Sequence, residues 1–271
     1  MKKRVIAAVV LLPLLLIVVL VLPKIFTAIL LGVMAAIGAY ELLVGTGLVK
    51  ETRLVIYAMV MAVLVSLWSE LWAQPGVARL GMLVFVCLLF GELLLTHTQL
   101  SFGKVALTFV AGVLIPFLLT ALGRMHSWKQ GRVYILLPFV IAFLSDTGAY
   151  FTGRAFGKRK LAPVISPNKT VEGLVGGVIG AVLGVVVYCL ALQFAFGFQV
   201  NYLYVPVYGI LGSLGAVFGD LCFSAVKRQT GIKDYGNLIP GHGGILDRFD
   251  SMVIVAPLTE ILMLFMPMVV K

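Results

Sequence analysis

The sequence predicts an all-α polytopic membrane protein with about nine transmembrane helices. Three observations lead to this. Hydrophobic residues make up 61% of the 271 residues, 12% are charged, and the mean hydropathy is +1.11; soluble domains are about half apolar and about a quarter charged. The apolar residues fall into runs close to the roughly 20 residues that a helix needs to cross a bilayer. The segments joining these runs are short, which leaves no room for a large soluble domain.

The first run, residues 5–22, follows Met1-Lys2-Lys3-Arg4. It is long for the apolar core of a secretion signal, usually about 7–15 residues. It ends Val21-Leu22-Pro23-Lys24 with no small-residue cleavage pattern, so it reads as a retained first span. The following spans are expected at 25–44, 54–73, 77–96, 104–123, 133–152, 171–196, 203–226 and 251–270. They form one integral membrane domain. Residues 1–132 are expected to be mainly scaffold, and 133–271 to carry most of the unusual polar residues.

Orientation follows from the basic residues. With nine spans and the N-terminus in the cytoplasm, fifteen of the 21 Lys and Arg fall on the cytoplasmic side. That bias predicts a cytoplasmic N-terminus in a multi-pass cell membrane protein, with the loops after spans six and eight on the same side. The net charge of +10 is explained by topology and by anionic head groups. No nucleic-acid-binding pattern accompanies it, so nucleic acid is not expected as a partner. Cys87, Cys189 and Cys222 lie far apart inside apolar runs and form neither a disulfide framework nor a zinc spacing.

The carboxylates are unevenly placed. The chain has five aspartates, Asp146, Asp220, Asp234, Asp247 and Asp250, and four of them lie between 220 and 250. The glutamates, among them Glu41, Glu51, Glu92 and Glu172, are scattered. Acids at membrane depth are costly and face a cavity or a partner. On a helix, Asp220, Ser224 and Lys227 fall at i, i+4 and i+7, which aligns an acid, a hydroxyl and an ammonium on one face. This is either a packing ion pair or a site for metal and phosphate. Further on, Gly241, Gly243 and Gly244 allow close backbone approach. Asp247 and Asp250, at i and i+3, share a face if span nine begins there. Hard oxygen ligands of this kind suit Mg²⁺, which takes one or two carboxylates plus substrate phosphates. Asp220 and Asp247 are the first metal candidates, with Asp250 and Asp146 next. His242 has no second His or Cys nearby, so it is expected to hydrogen-bond phosphate or loop backbone rather than metal.

A second polar group runs from Ser145-Asp146-Thr147 through Arg154, Lys158, Arg159 and Lys160 to Ser166-Pro167-Asn168-Lys169-Thr170-Val171-Glu172. Lys158, Arg159 and Lys160 either set topology or touch anionic lipid. Lys169 precedes a helix, where phosphate is favoured, but the glycine pattern of a P-loop is absent. Lys169, Arg228, Lys233 and Arg248 are candidate phosphate ligands. Gly176, Gly180 and Gly184 in span seven, and Gly215 and Gly219 in span eight, are spaced by four, as close helix packing requires.

From Ser224-Ala225-Val226-Lys227-Arg228, through Lys233-Asp234, to His242-Gly243-Gly244-Ile245-Leu246-Asp247-Arg248-Phe249-Asp250, the chain resembles the characteristic motif of the phosphatidate cytidylyltransferases, the CDP-diacylglycerol synthases. Residues 166–173 are similar to that family's upstream pattern. The resemblance implies an Mg²⁺-dependent nucleotidyltransferase of phospholipid biosynthesis: CTP plus phosphatidate gives CDP-diacylglycerol plus pyrophosphate. It also implies a homodimer and a cavity open to the cytoplasm. The alternative class is an ion-coupled transporter, which also uses intramembrane acids and lysines.

Overall fold

The computed structural model describes residues 13–71, 75–239, 241 and 243–270. The first expected span therefore lies partly outside the described residues; within them, 13–20 are helical. His242 lies outside them altogether. Among the described residues, six helices are long and apolar enough to cross a membrane: Lys24–Gly45, Gly76–Leu95, Phe102–His126, Gly131–Phe156, Val171–Phe196 and Val205–Gln229. The all-α polytopic membrane fold stands. The chain divides into two compact units, residues 1–129 with 227–249, and residues 130–226 with 250–271.

In the first unit, α1 (Lys24–Tyr40) continues into a π-helical turn, Glu41–Gly45. Helices α2 (Thr52–Leu71) and α3 (Pro75–Leu95) follow. The next rod begins as α4 (Phe102–Phe109), widens into a second π-helical turn, Val110–Leu114, and goes on as α5 (Ile115–Leu119) and α6 (Ala121–His126). Pro116 explains the irregularity, because it has no N–H to donate one turn back and its ring crowds that carbonyl. The widened segment lies against α2, where a Cβ on Gly112 would come within 2.9 Å of Ala58 Cα. The core here is aliphatic, with Leu43, Leu54, Leu89, Leu122 and Met125 buried.

In the second unit, α7 (Gly131–Tyr134) and α8 (Leu137–Phe156) are followed by strands β1 (Lys160–Ala162) and β2 (Ser166–Thr170), then α9 (Val171–Phe196). The antiparallel β1–β2 hairpin is a feature that the all-helical reading does not contain. Thr170 caps α9, its Oγ1 accepting the Gly173 N–H at 3.0 Å. Gly197, at φ +68, ends it in the left-handed conformation that only glycine adopts freely. The expected glycine stripe is where α8 and α9 meet: a Cβ on Gly180 would sit 2.6 Å from Leu144 O, and one on Gly148 would collide with Gly176 O. Strand β3 (Gln199–Val200) leads to α10 (Val205–Gln229), whose Ser213 Oγ lies 2.7 Å from Ser145 Oγ of α8. Gly215 and Gly219 of α10 take the chain of 250–258 at close range, Asp250 O being 2.9 Å from a Cβ on Gly219.

The end of the chain departs from the expected single span over 251–270. A one-turn helix, α11 (Leu246–Phe249), is separated by a turn at Asp250-Ser251 from α12 (Met252–Phe265). The last long helix thus begins after Asp247 and Asp250, and the condition for their sharing its face is not met. The 14 residues of α12 reach about 21 Å at 1.5 Å per residue, short of a hydrocarbon core of about 30 Å. Pro267 cannot continue the helix; the chain turns into β4 (Val269–Val270), which pairs with β3.

Candidate active site

The predicted acid–hydroxyl–ammonium stripe exists on α10. In the second unit, Ser224 Oγ donates to Asp220 Oδ1 at 3.0 Å. The other oxygen, Asp220 Oδ2, holds the Lys169 ammonium at 2.5 Å. Lys169 stands on β2, one residue before the cap of α9. That corner is fixed twice, once by the Thr170 cap and once by Glu172. The Glu172 carboxylate accepts the backbone N–H groups of Lys158 and Arg159 at 3.0 and 3.2 Å. Thus the basic run 158–160 is folded back on the start of α9, and Lys169 is presented to Asp220 by the β1–β2 hairpin. About a third of the Asp220 side chain remains exposed, at 32%. Asp146 is exposed on α8. Asp250 is buried and accepts the N–H of Ser251 at 2.7 Å.

In the first unit, Lys227 Nζ donates to Asp247 Oδ1 at 2.8 Å, and this pair is deeply buried, with side-chain exposures of 10% and 2%. Asp247 Oδ2 accepts two backbone N–H groups, from Tyr235 at 2.8 Å and Gly244 at 3.0 Å. The Lys227 ammonium also lies 5.4 Å from the centre of the Tyr235 ring, within cation–π range. Helix α10 ends here because Gly231, at φ +72, turns the chain, with Ile232 N–H donating to Lys227 O at 3.0 Å. Arg228, Lys233 and Arg248 are exposed beside this segment.

Reading the sequence alone misses Glu41. It lies in the π-helical turn after α1, is 4% exposed, and accepts the N–H groups of Ile245 at 3.0 Å and Leu246 at 2.8 Å. The available signal was an acid inside an apolar span, which is costly without a partner.

Mg²⁺ can be tested against these residues. Among the described residues, no three His, Cys, Asp or Glu side chains gather into a cluster that could hold a metal. The two leading donors, Asp220 and Asp247, are single carboxylates, each with a lysine on it. That fits an ion completed by substrate phosphates and water, and does not fit an all-protein cage.

Fold and site together define a polytopic membrane protein whose acids and lysines are paired in polar clusters near helix ends. The profile described as the cytidylyltransferase family matches residues 2–266. The chain belongs to that family. It is 40% identical over 175 residues to the phosphatidate cytidylyltransferase of Staphylococcus saprophyticus, and 40% over 177 residues to that of Staphylococcus haemolyticus. To that of Staphylococcus aureus it is 39% identical over 175 residues. Each alignment covers 64% of this chain and 66% of the relative.

Proposed function

We propose that the protein is a phosphatidate cytidylyltransferase, joining CTP and phosphatidate into CDP-diacylglycerol with release of pyrophosphate. The observation that carries this reading is the pairing of each leading metal candidate with a lysine, Asp220 with Lys169 and Asp247 with Lys227. Family membership favours it over the transporter.

The chemistry needs little base catalysis. A phosphomonoester loses its second proton near about pH 6, so the phosphatidate phosphate is largely dianionic at neutral pH. One of its oxygens attacks the α-phosphorus of CTP; the new P–O bond forms as the bond to the β-phosphate oxygen breaks. The obstacle is the approach of two polyanions, which cations relieve. Lys169 and Lys227 are the cations the chain brings to phosphate, with Arg228, Lys233 and Arg248 as exposed auxiliaries. Ser224, held on Asp220, offers a hydroxyl to a phosphate oxygen. Asp220 and Asp247 are the carboxylates that would hold Mg²⁺, with Asp250 and Asp146 next in order. When bound, the ion supplies Lewis-acid neutralisation of phosphate charge. At Asp247 it would compete with the Lys227 ammonium for Oδ1, because Oδ2 is already taken by two N–H groups. Asp220 also holds a lysine, but it carries one donor on each oxygen and is the more exposed of the two carboxylates, so it ranks first.

The bias of basic residues supports a cytoplasmic N-terminus and active site, and the family resemblance supports a homodimer. The decisive experiment is to give purified protein phosphatidate, Mg²⁺ and each of CTP, ATP, GTP and UTP. CTP-dependent release of pyrophosphate with formation of CDP-diacylglycerol is expected. Absence of CMP transfer under every condition would refute the reading.

A further inference from the structure

Glu41 belongs to no part of the reaction just described, yet it is a buried acid. An acid so placed in an apolar helix is expensive unless its oxygens are satisfied. Here they are satisfied by one short stretch of backbone. Oε1 accepts from Ile245 and Oε2 from Leu246, the two residues that open the turn carrying Asp247. The fit is close on both sides. A Cβ on Gly236 would lie 2.5 Å from Glu41 Oε1, and one on Gly244 would collide with the same carboxyl group. The neighbouring Gly45 closes the contact, since a Cβ there would collide with Tyr235 O. The glutamate begins a π-helical turn and Gly45 ends it. Such wide turns mark places where a helix is reshaped for function.

The backbone at Tyr235 and at Gly244, Ile245 and Leu246 is thus clamped by two carboxylates. Asp247 holds Tyr235 N–H and Gly244 N–H from within the motif, while Glu41 holds Ile245 N–H and Leu246 N–H from a helix some two hundred residues earlier in the chain. Asp247 is also the partner of Lys227. Moving the loop would move the carboxylate that orients the ammonium.

We infer that Glu41 is a positioning residue, which seats the backbone at Ile245 and Leu246 so that Asp247 and Lys227 meet in working geometry. It touches no substrate. This inference rests on the cytidylyltransferase reading for its kinetic consequence, but not for its structural one. Glu41→Gln keeps the size of the side chain while turning one acceptor into a donor that faces a backbone N–H. Gly236→Ala presses on the same contact from the loop side and leaves the glutamate in place.

The test uses the full-length protein in detergent or bilayer discs, with three readouts on both variants: amide hydrogen exchange by segment, the thermal midpoint, and kcat with KM for CTP. Faster exchange confined to 235–249 is expected, with the exchange of Val171–Phe196 unchanged. With it, kcat should fall at least tenfold well below the thermal midpoint, while KM for CTP changes less than threefold. Exchange at 235–249 like that of the parent protein, or exchange rising in every helix, would overturn the inference. So would kcat within twofold of the parent despite a loosened loop. If the parent protein transfers no CMP, the activity reading fails while the exchange result still judges the clamp. If Glu41→Gln does not fold, Gly236→Ala supplies the same outcomes.

Discussion

Replacing Asp247 with asparagine should unseat a buried ammonium, and the size of the effect follows from the geometry. The Lys227–Asp247 pair is 2.8 Å long and nearly sealed from water. Removing one partner of such a pair costs about 3–5 kcal/mol, because the other charge is left buried and alone. In Asp247→Asn the amide oxygen can keep the N–H groups of Tyr235 and Gly244, but its NH₂ then faces the ammonium, donor against donor. The lower end, about 3 kcal/mol, is the expected loss. Lys227→Met leaves a carboxylate that still accepts two N–H groups, so its cost is smaller, about 2 kcal/mol. The double variant has no buried charge to strand. Its loss should fall short of the sum of the single losses by about 2 kcal/mol, in the range found for contacting residues. Reversible unfolding in mixed micelles measures the three losses, and CDP-diacylglycerol formation should be abolished in all three proteins. Single losses that sum to the double loss within about 0.5 kcal/mol would refute the claim that these side chains act as a pair.

Three further outcomes follow from other parts of the molecule. Asp220→Asn and Lys169→Gln should each lower CMP transfer at least a hundredfold while shifting the thermal midpoint little, because this pair remains partly exposed; turnover near that of the parent in both would remove them from the site. Gly148→Ala should destabilise the α8–α9 contact by about 1–3 kcal/mol, the usual cost of overpacking, since its Cβ would collide with Gly176 O; unchanged unfolding would show that the helices separate freely there. Glu51, outside the spans, has its pKa held below the usual glutamate value, chiefly by its hydrogen bond from Lys104. A depressed folded-state value means the contribution is complete above the unfolded value and is lost as pH falls through the folded one. The stability difference between the parent and Glu51→Gln should therefore be level above about pH 5 and shrink below about pH 4, as thermal midpoints across that range would reveal.

What the sequence makes legible divides along a physical line. Apolar run length reports burial in lipid, and it located the helices between Lys24 and Gln229 to within a few residues, though not the end of the last run. Residue spacing reports a helix face, and it aligned Asp220, Ser224 and Lys227 correctly. Glycines spaced by four report close approach, and Gly176, Gly180 and Gly184 do lie at such a contact, with α8, a partner that the spacing did not name. Each of these is a local or periodic signal. Spacing failed at Asp247 and Asp250, because a break at Asp250-Ser251 interrupts the helix that their i, i+3 relation assumed. At the break, the Ser251 N–H is taken by the Asp250 carboxylate, and upstream of it Asp247 reaches back to Tyr235 while Glu41 reaches forward from the second apolar run. Asp247 looked like a free ligand because sequence shows a side chain but not the backbone N–H groups that claim it. Glu41 looked like a stray acid for the same reason. In a chain with so few charges, an acid inside an apolar span is unaffordable without donors, and when no side-chain cation lies within one turn, those donors must come from a part of the chain distant in sequence. Glu41 met that condition before any fold was known. The same rule points next to Glu92, which sits within α3 and takes the Tyr57 hydroxyl at 3.1 Å and Arg53 at 3.4 Å. Its donors are side chains of α2 rather than loop backbone, so it fastens one helix to another and leaves the motif loop alone.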